Sequence, residues 1–582
     1  MDNGQQTRDN GQISFWLVAL GAVAFWMLLI WAVHRDSPRT LVSFHGFIHA
    51  AIARRFLGPT PVTFPPENPF FAGHPVCYYW FFQFLAAQLV RLLGWNIFYA
   101  MEAVNLAAMG ALMMVAVGLG RIVFRSTLVG VLMCYLIVAG TNPFGFIFAG
   151  LKIALHGTQQ LQDNPDHLWG VVHPLYSLIR YNDVGGLYGP LLNFFLNMTS
   201  RPAALAALMW QLFCLEWTLR SHKPLAWVLL GCASALTTSF SSIIGISAGG
   251  ALLVGLVVSW LWERWAHNTH RTTPDTQPAV TPLAAGLAIV AGILVAAPTY
   301  YHLLFGPSAS QMRFGLFSAA GLRHLATVAS SVLLLASLAV VGLLRASSDR
   351  RLFLGTLFLA AVLLMAANVA FLIPLSNESN FFHAAVVLLA VPGAASILRS
   401  KPTEGQSITR AGCAARIALV FLPTSLLLMA AYLHRPALPA TFEGPCLARL
   451  PKDSDLALLY RWVQAETSPD AVFIIDPRHR VTLCGNIAEF PAMTGRVIFT
   501  EHFRHYMVEP YPDSKKRFDL AVQMVSGGEL DRSGRDYLLG LNRPIYVVSY
   551  QLEDNTLMDR MQSLYGPPIF HEGDISVFKW RH

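Results

Sequence analysis

The stretch ISFWLVALGAVAFWMLLIWAV, residues 13–33, holds no Asp, Glu, Lys or Arg. It matches the ~20 residues that a helix needs to cross the hydrocarbon core of a bilayer. A secretory leader has an apolar run of only about 7–15 residues, and His34-Arg35-Asp36 is no small-residue cleavage site. The stretch therefore reads as a retained membrane anchor. Further apolar stretches follow at 98–120, 127–150, 202–220, 224–240, 241–262, 280–301, 324–345, 352–373, 380–397 and 414–433. The two around 224–262 are short enough to form a tight hairpin. The pattern predicts a polytopic α-helical membrane protein with about eleven crossings.

Composition points the same way. The 582 residues are 54% hydrophobic and 13% charged, with mean hydropathy +0.47. A soluble globular chain carries about 25% charged residues, so too little polar surface is left here for a water-soluble body. The net charge of +8 does not argue for nucleic acid, because basic and acidic residues nearly balance from His434 onward. The surplus lies between apolar stretches, in Arg121 and Arg125, Arg220 and Lys223, Arg264 and Arg271, Arg345, Arg350 and Arg351, and Arg399, Lys401 and Arg410. These occupy alternate loops. The positive-inside rule puts them in the cytoplasm, with the N-terminus inside and the C-terminal part outside. That assignment requires 79–94 (YWFFQFLAAQLVRLLG) to lie on the membrane surface.

Cys134, Cys214 and Cys232 fall in apolar stretches as small packing residues, and no CxxC pair or zinc spacing occurs. Cys446 and Cys484 are expected to pair in an oxidising external compartment. On this topology three segments face outward ahead of the C-terminal part. The segment 34–97 carries His45, His49, Glu67 and His74, and 151–201 carries Asp163, Asp166, His173, Arg180 and Asp183. The third lies around 302–323, with a companion at 374–379. Loops of more than about 15 residues are usually functional or disordered, and these are rich in aromatics and proline, unlike disordered tails.

From 434 to 582 the pattern changes. Residues 453–466 have helical periodicity, and 471–475, 497–499, 545–548 and 575–578 read as strands. Helices are predicted near 514–526 and 555–565. The expected organisation is a transmembrane domain over 1–433 and an extracytoplasmic α/β domain over 434–582.

With this layout, IARRFLG (52–58), PPENPFFAGHPVCYYWFF (65–82) and NIFYAMEAVNL (96–106) together resemble the first outer loop of GT-C superfamily glycosyltransferases. In that superfamily the loop holds two juxtamembrane helices, a Pro-rich link and a Tyr-rich approach to the second helix. LLYRWVQAETSPDAVFIID (458–476) and TGR (494–496) are similar to the outer domain of many such enzymes. The succession FHG, PPENPFFAG, YYW is also similar to uncharacterised bacterial membrane proteins. The resemblance implies a GT-C-like fold in a bacterial cytoplasmic membrane. It implies a transferase that moves a sugar from a polyprenyl-phosphate carrier to a glycan, lipid or protein acceptor on the outer face.

The family pattern has Asp-Glu about nine residues before the Arg of an IAR-like triplet. Counting back from Ile52-Ala53-Arg54 reaches His45, followed by Gly46. Three residues are therefore candidates for the catalytic role: Asp36, His45 and Asp183. Asp36 as general base would deprotonate the acceptor hydroxyl; as a structural residue it caps a membrane helix at the interface. Asp183 resembles the second-loop acids of the family, and equally suits an Asx turn beside Gly185-Gly186. His45 can take a proton at neutral pH, with a reference pKa of about 6.5. His49, one helical turn on, shares its face. Together the two histidines offer a base, a metal pair or a phosphate partner, or they simply bond loop backbone. No metal ligand set is assigned, and the cofactor stays open, a divalent metal included.

Substrate binding is assigned to His49, Glu67, His74, Tyr78, Tyr79, His173, Arg180, Arg313, Glu378 and His383. Arg180 suits a phosphate, unless Asp183 uses it up. Arg313 suits a lipid phosphate, or snorkels to the interface. Glu378 and His383 stand at the mouth of a span, where ionisable groups are functional candidates. Glu67 opens a Pro-bounded turn and reads equally as structural, and Arg496 reads as domain packing or as a group in reach of a pyrophosphate.

Two other readings compete. A lipid or glycan transporter would bury ionisable groups within its spans and show repeats, whereas Glu216 is the only acid read well inside one. A non-catalytic GT-C relative serving in assembly or binding would explain His45 at the acid position.

Overall fold

The computed structural model describes residues 17, 20–32, 44–58, 63–156, 189–195, 199–221, 223–269, 280–305, 313–315, 319–373, 377–398, 406–433, 454–478, 481–482, 485–486, 488–550 and 555–581. The apolar part begins with α1 (Leu20–Ala32), α2 (Phe44–Arg55), α3 (Phe81–Leu93), α4 (Ile97–Phe124), α5 (Thr127–Ala139) and α6 (Gly145–His156). After a single helical turn, Leu192–Phe195, come α7 (Arg201–Ser221), α8 (Pro224–Phe240), α9 (Ser242–Thr269), α10 (Val280–Val295) and α11 (Ala297–Phe305). The series ends with α12 (Ala319–Leu344), α13 (Ser348–Ala370), α14 (Ser379–Ala395) and α15 (Gln406–Leu433).

The protein is a multi-pass integral membrane protein. Among the described residues, 6 helices are long and apolar enough to cross a bilayer alone, within α4, α7, α9, α12, α13 and α15. The bent pair α10 and α11 makes up to 7, while α1, α3, α5, α8 and α14 are apolar but shorter. Where it is described, each predicted apolar stretch falls mainly on helix, but several are broken or short.

Proline explains two breaks. At 127–150 one span was expected, yet the helix stops at Ala139 and restarts at Gly145. Pro143 lacks an N–H and disfavours helix at the residue before it, and Asn142 indeed sits at φ 48°. Between α10 and α11 the axis turns by 73°, with Pro298 in the first turn of α11. Elsewhere small residues let helices close up. A Cβ on Gly130 would overlap the Val117 backbone, so α4 and α5 cross in near contact. Every residue of α14 is buried, which puts it at the centre of the bundle. Glu102, early in α4, is buried as well, so Glu216 is not alone among acids within helices of the bundle.

The segment 79–94 becomes α3, 13 residues long, short of the ~20 a span needs. It ends at Gly94, left-handed at φ 66°, and its Arg91 donates to the Phe56 carbonyl at the end of α2.

The C-terminal part contains α16 (Asp455–Glu466), α17 (Glu489–Thr494), α18 (Ser514–Val525), α19 (Arg532–Leu539) and α20 (Asn555–Tyr565). Its strands β1 (Val472–Ile474), β2 (Val497–Ile498), β3 (Ile545–Ser549), β4 (Phe570–Glu572) and β5 (Ile575–Lys579) form one mixed sheet in the order β2-β1-β3-β5-β4. β1 runs parallel to β2 and β3, and β5 antiparallel to β3 and β4. The central β3 is buried throughout, as a strand covered on both faces must be.

The Pro-rich loop joins the two parts. Ala72 donates to Ile498 (3.2 Å) and Ile498 to Pro69 (2.9 Å), so the loop covers the edge of β2. Asn68 donates to the Met507 carbonyl (2.7 Å). Arg517, 2% exposed, donates to the Ala72 carbonyl (2.7 Å) and Asp513 (3.1 Å) while lying 4.0 Å over the Phe71 ring.

Candidate functional site

Around this joint, polar side chains collect in three neighbouring places. The first is Glu67. One carboxylate oxygen takes the Arg55 guanidinium at 2.6 Å, and the other takes the Gly73 N–H at 2.8 Å and Arg543. Burial alone would raise its pKa, but the two guanidiniums and the Gly73 N–H hold the carboxyl below the usual glutamate range. Those bonds tie α2, the loop and the β3 approach together.

His74 lies against Phe71 and Tyr511, with its Nε2 at 3.9 Å from Asp513. Burial and the Arg517 charge depress its pKa, against the pull of Asp513. Neutral imidazole is favoured.

The second place is the face of α2 that meets the start of α3. His49 is 2% exposed. With the Gln83 amide turned so that its nitrogen donates to the Tyr79 (3.3 Å) and Trp80 (3.1 Å) carbonyls, its oxygen accepts from His49 Nδ1 at 2.6 Å. That assignment puts the proton on Nδ1 and leaves Nε2 as the basic nitrogen. The His49 ring packs against Phe82 and Tyr78. The Tyr78 hydroxyl donates to Tyr79 at 2.6 Å. Burial and the neighbouring Tyr79 and Tyr506 push the Tyr78 phenol well above its ordinary pKa, with Arg201 acting the other way. Next to Tyr506 stands His505, whose Nδ1 is 3.2 Å from Glu501, both side chains 1% exposed.

The third place joins the starts of α7 and α14. Arg201 lies 4.8 Å over the Phe194 ring, and that ring is 4.2 Å from His383. Glu378 turns back instead, accepting from the Ile373 N–H at 3.0 Å, while Asn368 bonds its carbonyl. Its carboxylate closes the turn before α14.

The structure therefore brings His49, Tyr78 and Tyr79 together, places Glu67 and His74 at the joint, and packs His383 against the Phe194 ring that Arg201 also covers. His45 lies in the first turn of α2, with its side chain outside the description. Arg313 pairs through its backbone with Leu372, and its side chain is likewise outside. Asp36, His173, Arg180 and Asp183 lie outside the described residues, as do Cys446 and Cys484. Among the described residues no three His, Cys, Asp or Glu side chains gather as a metal would require.

Sequence reasoning missed Arg201, excluded when its span was begun at 202, and the Glu501–His505 pair. Glu501-His502-Phe503-Arg504-His505 does carry an i, i+4 spacing, a usable signal. Arg496 donates to the Val463, Gln464 and Thr467 carbonyls and caps α16.

Residues 60–170 match the model of a family described as "Uncharacterized membrane protein (DUF2298)". No curated protein matches by sequence. Among solved structures, ArnT from Cupriavidus metallidurans bound to undecaprenyl phosphate superposes with TM-score 0.51 at 11% identity, covering 98% of each chain. The same protein in the apo state gives 0.49 at 12%, again over 98% of each. The Archaeoglobus fulgidus oligosaccharyltransferase in the apo form gives 0.43 at 13%, over 93% of this chain and 71% of that one. The fold is GT-C-like along nearly the whole chain.

Proposed function

We propose that this protein is a membrane glycosyltransferase that moves a sugar from a polyprenyl-phosphate carrier to an acceptor on the outer face of the membrane. One observation carries the reading: the fold corresponds over 98% of both chains to an ArnT structure bound to undecaprenyl phosphate. The buried histidine, tyrosine and arginine groups around the first loop support it. Transfer needs a base to take the acceptor proton as the hydroxyl attacks the anomeric carbon, while the lipid phosphate leaves with the bonding pair. His45, Asp36 and Asp183 are the proposed catalytic residues, and His49 lies one turn from His45 with its Nε2 free of the proton.

The alternative, a non-catalytic binding or assembly subunit, is favoured by His45 at the family's acid position. The test is transfer by the purified full chain from undecaprenyl-phosphate sugars to an envelope extract. Expected are turnover in the wild type, loss of at least about tenfold in His45→Ala, and recovery in His45→Asp. Absence of turnover with every donor, together with retained carrier binding, would favour the non-catalytic reading.

A further inference from the structure

The start of α7 carries polar groups that no other described residue uses. Ser200 immediately precedes the helix, so it holds the N-cap position. It is 0% exposed, and its hydroxyl has no hydrogen-bond partner among the described residues. An N-cap serine ordinarily accepts from a backbone N–H two or three residues on. The hydroxyl of Thr199, also buried, has no partner among the described residues either. With Oγ one bond from Cβ, both oxygens lie at the helix end. Pro202 has no N–H, so Arg201 and Ala203 carry the unused donors of the first turn.

Charge at this point is positive. The 21 residues of α7 direct the positive end of their dipole here, and Arg201 adds a full charge. Among the described residues that guanidinium has no carboxylate partner; it lies over Phe194 and within electrostatic reach of the Tyr78 phenol. The same ring packs against His383, and Asn380, one turn before it on α14, has a buried Oδ1 with no partner among the described residues. Hydroxyl and N–H donors at the N-terminus of a helix that opens with an arginine suit a phosphate. The Asn380 oxygen would then accept from a hydroxyl next to it.

We infer that Thr199, Ser200, Arg201 and the first N–H groups of α7 form a phosphate cradle, which takes the phosphoester of a membrane lipid. The lipid source, though not the cradle, rests on the transferase reading above.

The test uses the full chain in detergent, with undecaprenyl phosphate and inorganic phosphate as separate probes, read by thermal shift. The wild type should gain Tm with the lipid. Arg201→Gln should bind it about tenfold or more weakly, the value of a charge-assisted bond. Ser200→Ala should weaken binding about two- to tenfold without lowering the Tm of the lipid-free protein, because a buried hydroxyl without a partner contributes no stability. If Arg201→Gln fails to fold, Ser200→Ala carries the result. Undiminished binding by Ser200→Ala, or a fall in its lipid-free Tm, overturns the cradle. An equal, Arg201-dependent shift with inorganic phosphate keeps the cradle and overturns the lipid source. Lipid binding that persists without sugar transfer would count against the transferase reading alone.

Discussion

At the scale of single residues, Glu67 shows how one carboxylate holds two parts of a chain together. It sits between Arg55 and Arg543 with its side chain 20% exposed. Removing its charge leaves two partly buried guanidiniums facing each other. Breaking such a pair costs about 3 kcal/mol, so Glu67→Gln should show a clearly lower Tm. The pH dependence has a definite sign. The folded carboxyl titrates below its unfolded value, so its contribution is present above about pH 4.3 and is lost as pH falls through the folded value. Glu67→Gln should flatten the acid limb of a Tm against pH curve. An acid limb as steep as that of the wild type would show that Glu67 does not carry the joint.

At the scale of elements, helix geometry is set as much by what is absent as by what is buried. Gly130 has no Cβ where one would meet the Val117 backbone, whereas Gly118, one residue on, has open space around the same position. Overpacking typically costs about 1–3 kcal/mol, and more against backbone. Gly130→Val should therefore lose most of its monodisperse yield on fluorescence-detected size exclusion, while Gly118→Ala stays near wild type. Equal yields would mean that α4 and α5 separate without cost. Helix length belongs to the same scale: hydropathy marks where apolar chain lies, and prolines 143 and 298 decide where it stops being one helix.

At the scale of the whole molecule, the C-terminal sheet is completed from the membrane part, because residues 69–72 cover the β2 edge and Arg517 staples α18 to them. The orientation proposed from the Lys and Arg alternation has the N-terminus inside and this joint outside. Reporter fusions after Arg125 and after His434 should read cytoplasmic and external. The reverse at either point would move the candidate site to the other side of the membrane and remove the proposed outer-face transfer.

The sequence by itself determined that the chain is a membrane protein with a C-terminal α/β part, and it placed the main helices and strands of both. Period, hydropathy and turn chemistry are local properties, so 455–466, 472–474, 497–498 and 545–549 were legible within a residue or two. The partners of Glu67, the tautomer of His49 and the packing of Arg201 and His383 on the Phe194 ring were not. Those pairs lie tens to hundreds of residues apart, and nothing local encodes which distant group will neutralise a buried charge. Only the tertiary structure decided that the Pro-rich motif fastens the two parts together, because its carboxylate and amide are satisfied by residues brought from 507 and 543.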